Sequence, residues 1–117
     1  MDAMTTVSEA AACISAARTR RIRRARAALQ RAVELLSRKY HVRRIVLIGS
    51  LAEQDRFGFH SDIDLGVAGL PDRRFFEAAG DVLLQAGEFD IDLVPIENAT
   101  PGMAARISKG DVLYEQG

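Results

Sequence analysis

The spacing of apolar positions divides the chain into elements before any residue is considered for its chemistry. In "RTRRIRRARAALQRAVELLSRKY", Ile22, Ala25, Leu29, Ala32 or Val33, Leu36 and Tyr40 recur at intervals of three and four, the period of one helical stripe. Arginines fill the other faces, so residues 18–40 read as a long basic amphipathic helix lying on something flat. The Ala-rich residues 1–17 before it are expected either to fray or to form a short helix. "VRRIVLIG" is a β-branched run stopped by Gly49. "SDIDLGVAG" alternates, with Ile63, Leu65 and Val67 on one face and Asp62 and Asp64 on the other. Both read as strands. "LPDRRFFEAAGDVLLQAG" predicts a helix starting near Pro71 and ending in Gly87, with Phe75, Phe76, Ala79, Val82, Leu83 and Ala86 as its buried stripe. "FDIDLVPI" is a third strand stopped by Pro95. Thr100 and Pro101 open a short helix that closes near Gly110, and "DVLYE" is a final extended piece.

The order α-β-β-α-β-α-β predicts an α/β sandwich: helices packed on a small mixed sheet. The connection from Gly49 to Asp62 is too short and too polar to be the crossover of a parallel pair. The first two strands are therefore expected to be antiparallel or joined by an irregular turn. With no repeat and no Pro/Gly/Ser-rich linker, residues 1–117 read as one domain. Cys13 is the only cysteine, which excludes a disulfide framework or thiolate metal site and suits a reducing compartment. It reads as a small apolar residue of an Ala-rich helix. The longest unbroken apolar stretch, Ile45 to Ile48, falls far short of the roughly 20 residues of a membrane span. "MDAMTTVSEAAACISAA" starts acidic and lacks a leucine-rich segment, so a cytoplasmic chain without a signal peptide is expected.

Charge changes this picture because it is unevenly spread. Residues 1–44 carry 11 Lys/Arg against Asp2, Glu9 and Glu34, whereas residues 45–117 carry 5 against 13 Asp/Glu. The basic half either meets an anionic partner or offsets the acidic half of its own fold. No aromatic residue interleaves with Arg18 to Arg26, so stacking on single-stranded nucleic acid is not indicated. Partner binding through this helix predicts weaker association when Arg20, Arg23 and Arg24 are reversed to Glu.

Two acidic strands carry the candidate chemistry. Residues two apart in a strand share a face, so Asp62 and Asp64 project together about 6.5–7 Å apart at Cα. Such charges call for solvent, protonation of one partner or a bound cation, and Mg²⁺ suits one or two carboxylates completed by water and phosphate. Asp90 and Asp92 repeat the pattern. If the strands are neighbours, Asp92 completes a three-carboxylate set able to hold two metals, the arrangement suited to displacement at phosphorus. Asp90, nearer the strand's start, reads as solvated. Gly49 permits close backbone approach of a ligand, and the following N–H groups with the Ser50 hydroxyl can donate to phosphate oxygens. Neither a P-loop nor a Gly-x-Gly-x-x-Gly motif is present.

With "IVLIGS", eleven residues, then Asp62 and Asp64 in "SDIDL", and Asp92 in "DIDLV", the chain resembles the nucleotidyltransferase superfamily with the polymerase-β-type core. More narrowly, it resembles the minimal nucleotidyltransferase (MNT) antitoxins paired with HEPN toxins, from about Val42 to the "ISKGDVLYE" tail. The resemblance implies that Gly49 and Ser50 hold a triphosphate, that Asp62 and Asp64 bind metal, and that Asp92 acts with the metals to deprotonate an incoming hydroxyl. It further implies ATP as donor, a tyrosine hydroxyl of a HEPN ribonuclease toxin as acceptor, and silencing of that toxin by AMPylation. Many members read Gly-Ser-x-Ala-Arg-Gly where this chain has Gly-Ser-Leu-Ala-Glu-Gln-Asp. Glu53 thus replaces an arginine in a loop one residue longer, and Arg56 is the candidate substitute for nucleotide binding. This departure keeps open a weakened antitoxin that neutralises its toxin by binding alone. A transferase for an antibiotic or an RNA end would need an acceptor-binding domain for which the chain has no room. His60 is a lone loop histidine that could face the nucleotide, and His41 at the helix–strand junction reads as structural.

Overall fold

The computed structural model describes residues 3–49 and 62–116, with side chains from residue 9 onward. Helix α1 (Ala3–Arg38) leads into β1 (Arg44–Ile48), and β2 (Asp62–Ala68) follows. A 3₁₀ turn at Asp72–Arg74 enters α2 (Phe75–Gln85), which leads to β3 (Asp90–Pro95). A second 3₁₀ turn at Ile96–Asn98 precedes α3 (Pro101–Ser108), and β4 (Asp111–Glu115) closes the chain. The sheet order is β3-β2-β1-β4, with β1 antiparallel to both β2 and β4, and β2 parallel to β3. The mixed sheet and the antiparallel first pair follow the sequence reading. The parallel β2–β3 pair is the one that has a helix, α2, as its crossover.

Period-two alternation gives the sheet two different faces. Ile45, Leu47, Ile63, Leu65, Val67, Ile91 and Leu93 turn toward α1 and α2 and form the main core with Ala25, Ala28, Leu29, Ala32, Leu36, Ala78 and Val82. Three alanines in the α1 stripe let that helix lie close to the strands. Val46 and Ile48 turn to the other face, where they meet Ile107 of α3 and the half-buried Val94, Ile96, Ala99 and Met103. Thr100 caps α3 as predicted, its Oγ1 accepting from the Met103 amide at 3.2 Å with Pro101 as first helical residue. The described residues cover only part of this second face, and the remainder carries the carboxylates.

Three expectations change in detail. The segment before residue 18 is neither a frayed end nor a separate short helix: α1 runs unbroken for 36 residues and stops at Arg38, where His41 takes a φ of 54° and turns the chain into β1. Residues 9–20 are exposed, and Ile22 is only half-buried, at the point where the helix meets the domain. In α2 the buried stripe is Ala78 and Val82, continued by Ala86 beyond the helix, with Phe75 packed at its margin. Phe76 is 86% exposed and Leu83 48%. They belong to the neighbouring stripe, because α2 turns its small Ala78 toward the helix beside it. Among the described residues no helix is long and apolar enough to cross a membrane.

Candidate active site

The uncovered part of the second face begins where β1 ends. Ile48 pairs with Asp64 across the antiparallel ladder. Gly49 follows with a φ of 81°, a left-handed conformation that favours glycine, so the chain leaves the sheet directly beside Asp64. On the other side β3 runs parallel in a register that sets Asp62 beside Asp90 and Asp64 beside Asp92. Four carboxylates thus occupy one face as two adjacent rows, about 4.8 Å apart between strands and 6.5–7 Å along them. The juxtaposition of Asp64 with Asp92 is the one anticipated for neighbouring acidic strands. Asp90 is exposed, in keeping with its reading as solvated, yet it stands in the same grid.

The electrostatics of this grid are unbalanced. Among the described residues none of the four aspartates has an ion-pair partner within 4 Å. Burial raises the Asp64 carboxyl above its ordinary range, and the charge of Asp92 raises it further. Arg106 opposes the rise, and Asp62 adds to it. Removing a carboxylate from water next to like charges costs free energy, and among the described residues no neutralising side chain is in contact with it.

Arg106, whose charge bears on Asp64, stands on α3. Ile107 anchors that helix on Ile48 and over Gly66, where an added Cβ would stand 3.5 Å from Ile107 Cγ1 and 3.4 Å from Ile96 Cγ1. Gly66 lies two residues beyond Asp64 on the same face, so α3 covers the sheet up to the edge of the carboxylates. The sequence reading missed Arg106. Its signal was faint: a basic residue on a short helix after the acidic strand, in a half of the chain with only five Lys/Arg.

The donor set fits a hard divalent cation, since it consists of carboxylate oxygens with no ion-pair partner among the described residues. Among the described residues no three His, Cys, Asp or Glu side chains are gathered closely enough to hold a metal by themselves. Adjacent pairs are what the strands provide, the number Mg²⁺ uses when phosphate and water complete its shell. Ser50, Glu53, Arg56 and His60 lie outside the described residues.

The comparisons with known proteins bear on the fold and the family. The chain is similar in fold to a solved toxin–antitoxin MntA–HepT structure, with 22% identity over 78% of this chain and 73% of the other, at a TM-score of 0.58. It is similar to a double aspartate-to-glutamate variant of the toxin–antitoxin MntA–HpeT, with 24% identity over 74% and 72% and a TM-score of 0.59. It also resembles a toxin–antitoxin structure with AMP-PNP, with 22% identity over 74% and 73% and a TM-score of 0.56. At these identities the likeness is one of fold. No curated protein matches the chain significantly. The family model described as polymerase beta, nucleotidyltransferase matches residues 30–117. That span holds the whole sheet and all four aspartates, and the chain belongs to this nucleotidyltransferase family.

Proposed function

We propose that this protein is a metal-dependent nucleotidyltransferase antitoxin that transfers AMP from ATP to a tyrosine hydroxyl of a HEPN-family toxin and so silences it. The observation that carries the reading is the register placing Asp64 beside Asp92, next to the Ile48–Gly49 end of β1, in a chain of this family. The fold neighbours add support, being described as toxin–antitoxin structures and in one case holding AMP-PNP. Another neighbour had two aspartates, one residue apart as Asp62 and Asp64 are, changed to glutamate.

In this reading Asp62 and Asp64, with Asp92 on the adjacent strand, would hold Mg²⁺, two ions in the full complement, which would supply charge neutralisation at the phosphates. Gly49 and Ser50 let backbone N–H groups approach the triphosphate, with Arg56 on the same loop. Asp92 accepts the proton of the tyrosine hydroxyl. The tyrosine oxygen forms a bond to the α-phosphorus, the bond from α-phosphorus to the α,β-bridging oxygen breaks, and pyrophosphate leaves. Alignment and electrostatic stabilisation are the protein's contribution.

The test uses ATP labelled at either the α- or the γ-phosphate, incubated with Mg²⁺, this protein and a HEPN-family protein from the same organism. Transfer of α-label alone to the partner, lost in Asp62→Asn/Asp64→Asn, is the expected result. No label on either protein, with the complex still forming, would refute the enzymatic reading and leave an antitoxin that acts by binding alone.

A further inference from the structure

We propose that the outer face of α2 is a self-association surface, on which a second copy of this chain docks through the same helix in antiparallel sense. The inference does not depend on the chemistry of the carboxylate face.

The apolar residues that α2 leaves in solvent supply the first support. Phe76 is 86% exposed, Leu84 84% and Leu83 48%. Leu83 and Leu84 follow Phe76 by seven and eight positions, two helical turns, and so share its side of the helix. Single apolar residues are normal at a surface, but three on one stripe form a contiguous patch, and such patches mark interaction sites. Gly80 lies in the middle of the stripe, and an added Cβ there would meet nothing within 4 Å. The described residues thus leave the centre of the face uncovered.

The order of the residues selects the occupant. Phe76 and Leu84 stand four positions to either side of Gly80. A two-fold axis through Gly80, with the helices antiparallel, therefore sets Phe76 of each copy against Leu84 of the other. Between these two contacts the glycines let the helices approach closely. An isologous interface demands this kind of self-complementarity, because one patch must fit itself. Charge agrees with it. The same axis brings the exposed Arg73 of one copy to within one residue of the level of the exposed Glu88 of the other, so opposite charges meet at both ends. Two such faces pressed together bury on the order of 1,000 Å² in total, the low end for a specific interface. The helix packs on the sheet through Ala78 and Val82, on the side away from the aspartates, so a dimer leaves both carboxylate faces open.

The test is sedimentation equilibrium of the full chain at concentrations on either side of a Kd on the order of 10–100 µM, the range expected of so small an interface. At that affinity the dilute chain is monomeric. Wild type is expected to show a monomer–dimer equilibrium, and Phe76→Ser/Leu84→Ser to weaken it about tenfold or more. Crosslinking gives a second readout in chains carrying Cys13→Ser. Gly80→Cys, on the two-fold axis and unhindered in the monomer, is expected to form a disulfide-linked dimer under mild oxidation. Gly102→Cys, equally unhindered but on α3, is expected to form none at the same concentration. A wild-type chain that stays monomeric throughout would overturn the proposal, as would a dimer that the double serine variant leaves intact or crosslinking no faster at Gly80 than at Gly102. A monomer whose double serine variant loses only its association with a HEPN-family protein would assign the face to that partner and overturn the proposal equally.

Discussion

Replacing Asp64 with Asn is expected to make the metal-free protein more stable while removing its proposed chemistry. Asp64 lies beside Asp92 in the parallel register and next to Asp62 along its own strand. Burial and these two charges push its carboxyl above the ordinary range, against the opposing pull of Arg106. Two unit charges about 4.8 Å apart repel by roughly 3.5 kcal/mol at an effective dielectric of about 20. Asp92 is exposed and the pair is screened by water and salt, so about 1 kcal/mol is the expected net cost of the Asp64 charge. For a domain of this size, that gain corresponds to a melting temperature roughly 4–8 °C higher in the variant.

The sign of the pH dependence follows from the same shift. A carboxyl whose folded pKa is raised penalises the folded state above that pKa, and the penalty disappears as pH falls and the group takes up its proton. Thermal unfolding followed by circular dichroism in EDTA at low salt is expected to show the largest advantage of Asp64→Asn near neutral pH. The advantage shrinks at high salt and on acidification through the raised pKa. Mg²⁺ with AMP-PNP is expected to raise the melting temperature of wild type more than that of the variant. A variant equally or less stable than wild type in EDTA at neutral pH would refute the reasoning, because Asp64 would then have a favourable partner in the folded state.

Tyr40→Phe tests the pin between α1 and α2. The buried Tyr40 hydroxyl donates to Asp81 at 2.5 Å, Lys39 Nζ donates to the same oxygen at 2.6 Å, and the Arg74 guanidinium lies 4.3 Å from the Tyr40 ring. Loss of the hydroxyl is expected to cost about 1 kcal/mol in denaturant unfolding at neutral pH. The hydrogen bonds from Lys39 and Tyr40 hold the Asp81 carboxyl below its ordinary range. Its stabilisation is therefore present above the usual carboxylate range and lost as pH falls through the lowered pKa, and the variant is expected to show a weaker acid-side loss. The outer face of α2 is tested by a pair: Val82→Ala, at a fully buried position, is expected to cost about 2 kcal/mol, and Phe76→Ser to stay within about 0.5 kcal/mol. Equal costs would restore the stripe read from the sequence. On α1, Arg20→Glu/Arg23→Glu is expected to weaken association with the proposed toxin in a pull-down titration without changing the melting temperature. Arg24→Glu is expected to lower the melting temperature, since Arg24 Nε is 2.5 Å from Glu88. Unchanged toxin affinity in the double variant would end the case for partner binding through this helix.

The strands and their register-defining residues were legible because alternation is local: the faces of β2 and β3 are written in the Asp-Ile-Asp-Leu repeats. The antiparallel β1–β2 pair was legible from the short polar connection. The α2 stripe was harder to read. Its sequence offers apolar residues on two adjacent stripes, Phe75–Ala78–Val82–Ala86 and Phe76–Leu83–Leu84, and helical period alone does not rank them. Close approach to α1 decides, and it selects the stripe with the smaller residues. Arg106 was illegible for a related reason. Its bearing on Asp64 follows from the docking of Ile107 over Gly66, a contact between segments some forty residues apart. A glycine inside a strand marked that something approaches closely there, but not what.

The uneven charge of the chain is offset in part by contacts from α1 and the residues just beyond it. Where α1 lies on the domain, its cations are used internally. Arg24 meets Glu88, and the Arg31 Nε donates at 2.8 Å to the Gln85 carbonyl, at the negative end of the α2 dipole. Lys39 beyond the helix meets Asp81, and Arg43 stands 3.7 Å from Glu97. These contacts offset acidic residues of the other half, but none of them is to the grid of Asp62, Asp64, Asp90 and Asp92. Among the described residues the fold thus pairs the acids that hold helices and turns in place and pairs none of the four on the open face. A sheet that needed only to be stable would gain by losing those charges or by covering them with one of the many available arginines. That it does neither among the described residues is in keeping with the proposed reading, in which a cation and a polyanion complete the site.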